Sequence, residues 1–354
     1  MESSSRRVLV LALPGAFSLD VVGTFEIFQA ATRMVALREL GEPRFDVSDP
    51  ARLVGAAPAY AVELIGAEQG QIETLSGIAL CATRGLLSVR GPVDTLVIAG
   101  GDIQRMLAAL NERPKLRQTL CRIAKRARRV VSVCTGSFVL AALGLLDGKR
   151  ATTHWAACDL LQKLYPNVRV EHEPIYTQDA GVYTSAGATT GMDLSLALIR
   201  EDHGGDLAKE IARWLVLYVE RNAGQPQLSA SLRAQAADRD VLRELLPWIA
   251  EHVQEDLSVS VLAQRVGMSV RNFARAFKRE LSMTPAAYVE SVRVEAARRK
   301  LEMGTASIAR IATDVGFGSI DTLRRAFVRQ TGSTPRAKRS SGKARPPQQS
   351  ASAS

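Results

Sequence analysis

The sequence has few of the residues that mark secreted or metal-holding proteins. Its 354 residues contain four cysteines, Cys81, Cys121, Cys134 and Cys158. No two of them stand at metal-ligand spacing, and so few make no disulfide framework. Neither a metal nor a cofactor is expected. A long apolar run is also missing. The opening stretch, "MESSSRRVLVLALPGAF", holds an apolar segment too short for a signal peptide or a membrane span, and Pro-Gly ends it. The expectation is a cytoplasmic protein without membrane attachment. Aromatic residues are 5% of the chain. No aromatic box is legible, and Phe17, Trp155 and Tyr183 are expected in the core. The first 225 residues lack a charge excess, with 25 Lys and Arg against 24 Asp and Glu. From Pro226 onward the count is 21 against 12, so almost all of the net charge of +10 lies there. Such a concentration suits phosphate neutralisation, with binding that weakens steeply as salt rises. At this length, with 46% apolar residues, the chain can build two cores.

What the basic region does contain is a repeat. The first copy, "VLAQRVGMSVRNFARAFKRELSMTPAAY", covers residues 261–288, and the second, "IARIATDVGFGSIDTLRRAFVRQTGSTPRAK", residues 308–338. Ser269 matches Ser319, Phe277 matches Phe327 and Thr284-Pro285 matches Thr334-Pro335, all at an offset of 50. Before the turn the offset is 49, with Leu262-Ala263 against Ile311-Ala312 and Val266-Gly267 against Val315-Gly316. Gly318 is the extra turn residue. Such a period means one supersecondary unit used twice. Each unit reads as helix-turn-helix. Ala263 and Ala312 let two helices approach closely. Gly267 and Gly316 supply a positive φ, and Ser269 and Ser319 cap the second helix. That helix has an apolar stripe, Phe273, Ala276 and Phe277 in copy one and Leu323, Ala326 and Phe327 in copy two. The opposite faces carry Arg271, Ala274, Arg275 and Lys278, and Asp321, Arg324 and Arg325. Cationic faces with short side chains fit a major groove, so double-stranded DNA is the expected partner.

This region resembles the AraC/XylS-type DNA-binding domain over nearly its whole length. The resemblance rests on "RNFARAFK", "LRRAFVRQTGSTP", the joining helix "TPAAYVESVRVEAARRKL" and the turn "IARIATDVGFGS". It implies two recognition helices in successive major grooves, about 34 Å apart. Two positions depart from the family pattern. Leu323 stands where an aromatic is usual, and Lys338 where a tyrosine usually follows the last Ser/Thr-Pro.

Before the repeat, strand and helix signals alternate, which implies a parallel α/β sheet. Residues 8–13, 60–65, 78–82, 93–101, 130–133, 168–173 and 181–185 read as strands, and a short one reaches His154. Residues 21–40, 105–128 and 208–221 read as helices, and 41–59 as an irregular insertion. Lys125, Arg126, Arg128 and Arg129 read as a solvated helix end. The domains are then 1–222 and 241–339, with a linker at 223–240 and a disordered tail at 340–354.

Cys134 lies between a strand and a helix, backed by Thr135, Gly136 and Ser137. A sharp turn there exposes a side chain at the sheet's carboxyl edge, and a helix N-terminus favours a thiolate. Gly100-Gly101 ends another strand, where free backbone N–H groups can hold an anion. Asp20 and His154 each follow a strand. Ligands of parallel sheets bind at the carboxyl ends of strands, so Asp20, Gly100, Gly101, Cys134, Thr135 and His154 are the candidate binding set. Asp193 is expected to cap its helix.

The stretches "LALPGAFSLD", "VIAGG", "VCTGS", "TTHW" and "TSAGATTGMDLSLAL" resemble the class I glutamine amidotransferase-like, PfpI-type superfamily, with a flavodoxin-like sheet. The match puts Cys134 at the nucleophile position, Asp20 at the acidic position, and His154 and Asp193 in their motifs. In intracellular proteases of this superfamily a histidine directly follows the cysteine. Thr135 stands there, which removes that dyad. The whole architecture is similar to the GlxA-like transcriptional regulators. It implies an α/β domain joined to an all-α double helix-turn-helix domain, activation of transcription, a homodimer and contact with RNA polymerase. It also implies a small-molecule effector, such as an amino acid or a quaternary amine. Three readings of Cys134 stay open. It belongs to a ligand-sensing site, or is an oxidisable redox-sensing thiol, or is the nucleophile of an amidase, hydrolase or deglycase-like enzyme. The last needs His154 as base and an acid to orient it. The sensing reading is preferred, with Cys134, His154 and Asp20 as vestiges of a catalytic site and no enzyme activity expected.

Overall fold

The structure is a computed structural model that describes residues 5–39, 58–217, 221–228, 240–281, 283–303 and 306–337. The chain divides into two compact units, Met1–Gln227 and Leu228–Ser354.

The strands of the first unit are β1 (Arg6–Leu11), β2 (Tyr60–Gly66), β3 (Gly70–Glu73), β4 (Ala79–Ala82), β5 (Arg84–Gly85) and β6 (Thr95–Ile98). They continue as β7 (Arg129–Val133), β8 (Arg150–Ala151), β9 (Arg169–Val170), β10 (Tyr176–Asp179) and β11 (Val182–Ser185). Its helices are α1 (Ser18–Glu39), α2 (Ile103–Asn111), α3 (Pro114–Arg126), α4 (Gly136–Ala142), α5 (Cys158–Leu164), α6 (Ala188–His203) and α7 (Gly205–Trp214). Seven strands form one sheet in the order β10-β11-β7-β6-β1-β2-β5. Every neighbouring pair is parallel except β10 with β11. Successive strand residues point to opposite faces. Val8 and Val10 enter one core with α1, α6 and α7, while Leu9 and Leu11 enter another with α2, α3, α4 and α5. Both faces are therefore covered, the flavodoxin-like arrangement, and the strands read as continuous apolar runs for that reason.

Several expectations need correction. The stretch 105–128 is two helices, because Pro114 opens α3 and its ring and missing N–H cannot extend α2. Strand β8 stops at Ala151, short of His154. The last helix is α7, and residues 218–220 of the expected span lie outside the described residues, as do residue 40 of the expected first helix and 41–57 of the insertion. Arg129 is not at a solvated helix end. It begins β7 and is 2% exposed. Its guanidinium donates to Thr95 Oγ1 at 2.8 Å and to Asp202, which also accepts from Arg128 and Tyr60. Burial pushes the Asp202 carboxyl up, but Arg129 and the hydrogen bonds outweigh it and hold it below the usual carboxylate range. Lys125 and Arg126 are exposed.

The second unit contributes α8 (Asp240–Glu251), α9 (Val259–Arg265), α10 (Val270–Leu281), α11 (Pro285–Met303), α12 (Ile308–Asp314) and α13 (Ile320–Thr331). Starts of α9 and α12 differ by 49 residues and those of α10 and α13 by 50, the register of the repeat. Gly267 and Gly316 take φ of +64° and +76° where the first helix of each pair ends. Ser269 Oγ accepts from Asn272 N–H at 3.3 Å and Ser319 Oγ from Thr322 N–H at 3.1 Å. Thr284 and Thr334 repeat the device, each accepting an N–H at 3.2 Å. The joining helix α11 serves both copies. Tyr288 and Val292 pack with Phe273 and Phe277, and Val294, Ala297 and Leu301 with Leu323, Ala326 and Phe327. Leu323 is fully buried and fills the position where an aromatic is usual. Lys338, the linker residues 229–239 and the tail lie outside the described residues.

Candidate functional site

Strand β7 ends at Val133 and α4 begins at Gly136, so Cys134 has to turn the chain almost at once. Its φ is +54°, in the left-handed region that a residue with a Cβ rarely occupies. The turn is held on several sides. Cys134 N–H donates to Ser185 O at 2.9 Å, and Cys134 O accepts from Thr153 Oγ1 at 2.9 Å and Ser137 Oγ at 3.3 Å. The side chain is 5% exposed.

Asp20, in the first turn of α1, is also buried and accepts Gly100 N–H at 3.1 Å. Only glycine permits this meeting. A Cβ on Gly100 would stand 2.6 Å from Asp20 Oδ2 and 2.7 Å from Cys134 Cβ. Asp20 and Cys134 thus flank one glycine at the carboxyl edge of the sheet. Burial raises the Asp20 carboxyl to about 7, with the Gly100 hydrogen bond opposing. Burial first, and Asp20 second, push the Cys134 thiol up to about 12. The expected thiolate is therefore overturned: desolvation and a neighbouring acid outweigh the end of a seven-residue helix.

The free N–H groups expected at the double glycine are corrected too. Gly100 N–H goes to Asp20, and Gly101 N–H donates to Thr135 Oγ1 at 2.8 Å, which in turn donates to Gly101 O at 2.7 Å. Thr135 is a brace, and no open anion cradle is left there. His154 makes a local contact. Its Nδ1 accepts from Ala156 N–H at 3.3 Å, capping the short turn Trp155–Ala157, and its ring lies 5.4 Å from Trp155. Among the described residues it bonds neither Cys134 nor Asp20, and burial lowers its pKa.

Asp193 is not a cap. It lies inside α6 and accepts from Arg221 N–H at 3.2 Å and Arg221 Nε at 2.8 Å. Phe17 and Trp155, expected in the core, are 43% and 54% exposed, while Tyr183 is buried. Thr153 was not singled out from the sequence. It sits in the "TTHW" motif, but its bond to Cys134 depends on two segments 19 residues apart.

In the second unit Arg271, Arg275, Lys278, Asp321, Arg324 and Arg325 are exposed and Ala274 is half-buried. Those five cations have no ion pair among the described residues. Their neighbours do: Arg279 pairs with Glu280 at 3.2 Å, Arg329 with Glu290 at 2.7 Å and Arg310 with Asp314 at 2.9 Å. The repeat thus separates cations neutralised within the fold from cations left for a partner. Ser269 and Ser319 stand exposed at the starts of the two faces. No helix among the described residues is long and apolar enough to cross a membrane.

Residues 6–201 match the DJ-1/PfpI family, and residues 262–341 match a helix-turn-helix domain. The HTH-type transcriptional regulator CdhR of Pseudomonas aeruginosa is 28% identical over 280 residues, 79% of this chain and 81% of that protein. The HTH-type transcriptional regulator GlxA of Rhizobium meliloti is 26% identical over 286 residues, 80% of this chain and 86% of that one. The isonitrile hydratase of Pseudomonas putida is 35% identical over 170 residues, 47% of this chain and 70% of the enzyme. An α/β unit with a buried Cys–Asp pair, followed by two helix-turn-helix units with outward cations, defines a DNA-binding transcriptional regulator. The chain belongs to the DJ-1/PfpI family, in the form that carries an AraC-type helix-turn-helix domain.

Proposed function

We propose that the DJ-1/PfpI domain senses a small nitrogen metabolite, an amino acid or a quaternary amine, and that occupancy activates transcription through the helix-turn-helix domain. The observation that carries this reading is the Asp20–Cys134 pair. It joins a buried acid that titrates at about 7 to a neutral thiol, and both glycine N–H groups beside it are already used. Such a site offers a carboxyl that a bound cation would draw into its charged form and no spare donor at the glycines, so it favours an amine or a cation over an anion. The metabolite acts by binding one arrangement of the protein better than another. We place the protein in the cytoplasm, as a homodimer that meets RNA polymerase at the promoter. Phe17, Leu19 and Val22 at the start of α1, with Leu75 and Ile78 of the β3–β4 hairpin, are exposed apolar residues that support self-association.

Thermal unfolding against a panel of amino acids and quaternary amines tests sensing. A specific ligand at a hundred times its Kd stabilises the folded state by about 2.7 kcal/mol. Asp20→Asn should abolish the shift, and a panel that shifts nothing contradicts the reading.

The similarity to an isonitrile hydratase raises catalysis as a second reading. A thiol raised to about 12, with no hydrogen bond to His154 among the described residues, lacks the activation a nucleophile needs. The same neutral thiol is a poor target for oxidants. We therefore assign no enzyme activity. Turnover of an isonitrile or an amide that Cys134→Ser abolishes would reverse this.

On DNA, the reading places Arg271, Ala274, Arg275 and Lys278 in one major groove and Asp321, Arg324 and Arg325 in the next, with Ser269 and Ser319 at the phosphates. Arg271→Ala or Arg275→Ala is expected to cost about 1–3 kcal/mol at particular base pairs, and Arg325→Ala the same in the second groove. Binding titrations on single-base operator variants check this. Uniform weakening across sequences reduces these arginines to phosphate contacts, and an Arg325→Ala protein of unchanged affinity makes copy two a support.

A further inference from the structure

We propose that Gln227 is a latch through which the Cys134 site holds the start of the interdomain chain. The proposal rests on reading that site as the ligand-binding one. Gln227 is the last residue of the first unit. The backbone around it is laid onto that unit as an extra edge. Pro226 bridges Pro174, Ile175 N–H donates to Gln225 O at 3.0 Å, and Gln227 N–H donates to Glu173 O at 2.9 Å.

The Gln227 side chain then turns inward. Its Nε2 lies 3.0 Å from Thr153 O, 3.1 Å from Thr152 Oγ1, 3.1 Å from His172 O and 3.5 Å from Pro174 O. A side-chain amide has two N–H bonds, so these acceptors compete for them. Its Oε1 is buried with no N–H or O–H donor among the described residues. The Cys158 thiol, which the Gln227 side chain also meets, points its hydrogen to Thr153 O at 3.7 Å and His154 O at 3.6 Å. A buried acceptor left so poorly served weakens the hold. The latch is therefore close to release, and small movements of its acceptors decide it.

Thr153 links latch and site. Its hydroxyl donates to Cys134 O at 2.9 Å, and its own carbonyl accepts from Gln227. A ligand that shifts the Cys134 turn shifts Thr153, and with it the acceptor that Gln227 needs. Occupancy is thereby converted into a firmer or looser exit of the chain toward the DNA-binding unit.

Hydrogen–deuterium exchange on the full-length protein tests this without any ligand. Gln227→Ala should speed exchange over residues 172–177 and 222–228 by roughly three- to tenfold. Thr153→Val removes the bond to Cys134 but keeps the carbonyl. It should speed exchange over 222–228 by several-fold, whereas Thr153→Ser, which keeps the hydroxyl, should leave the wild-type rate. Exchange over α10 should be the same in every variant, which separates local release from global unfolding. Wild-type exchange over 222–228 in Thr153→Val overturns the proposal, whether or not Gln227→Ala is faster. Failure of the sensing reading shows separately, in the metabolite melts.

Discussion

Asp20→Asn is expected to stabilise the protein at pH 8 by about 4 kcal/mol more than it does at pH 3.5. The carboxyl titrates near 3.8 in an unfolded chain and at about 7 in the folded one, because burial disfavours its charge. Between those values the folded state holds the proton more tightly than the unfolded state. The stability this contributes is fully present below 3.8 and is lost as pH rises through about 7. Asparagine cannot ionise, and it keeps an oxygen for Gly100 N–H, so the variant escapes that loss. Denaturant unfolding of both proteins across this range measures it. Parallel stability profiles for wild type and Asp20→Asn would contradict the buried acid, and with it the charge argument for an amine or cationic effector.

Arg129→Met is expected to cost about 1.5–3 kcal/mol. Arg129 and the Asp202 side chain are each 2% exposed and face one another across a charged pair. Removing the guanidinium takes the nearest cation from a buried carboxylate and leaves it Arg128 at 2.9 Å, Arg6 at 3.7 Å and the Tyr60 hydroxyl, the two cations being 47% and 30% exposed. Asp202 now sits below the ordinary carboxylate range. The stability it contributes is present above the unfolded value and is lost as pH falls, so the gap between variant and wild type should narrow in acid. The double variant Arg129→Met, Asp202→Leu should be less damaging than the single one. Denaturant unfolding at neutral pH checks both. A single variant no weaker than Arg128→Ala, whose side chain is 47% exposed, contradicts the account.

How much of this the sequence carried depends on distance along the chain. The helix-turn-helix copies were legible because their signals are local: the cap serines, the turn glycines and the aromatic stripe all act within a few residues of one another. The central strands were legible for the same reason, since burial on both faces writes an uninterrupted apolar run. The interior of the site was not. Gly100 N–H finds Asp20 from 80 residues away, and Gly101 N–H finds Thr135 from 34. No spacing rule shows that both donors are already taken. Arg129 looked like part of a surface charge run because its partner, Asp202, is 73 residues further on. Cys134 was placed correctly at a sharp turn, yet its protonation follows from burial and from Asp20, which only the folded chain brings together. Motif position marked the sharp turn at Cys134, and packing determines the chemistry there.

The most direct test of the central claim is footprinting of the full-length protein on DNA upstream of its own and neighbouring genes, with and without small nitrogen compounds. The account predicts protection over two adjacent major grooves per subunit, about 34 Å apart. It predicts binding that falls steeply with salt and changes with one of the compounds. A specific footprint that no compound alters, or no specific footprint at moderate salt, would contradict it.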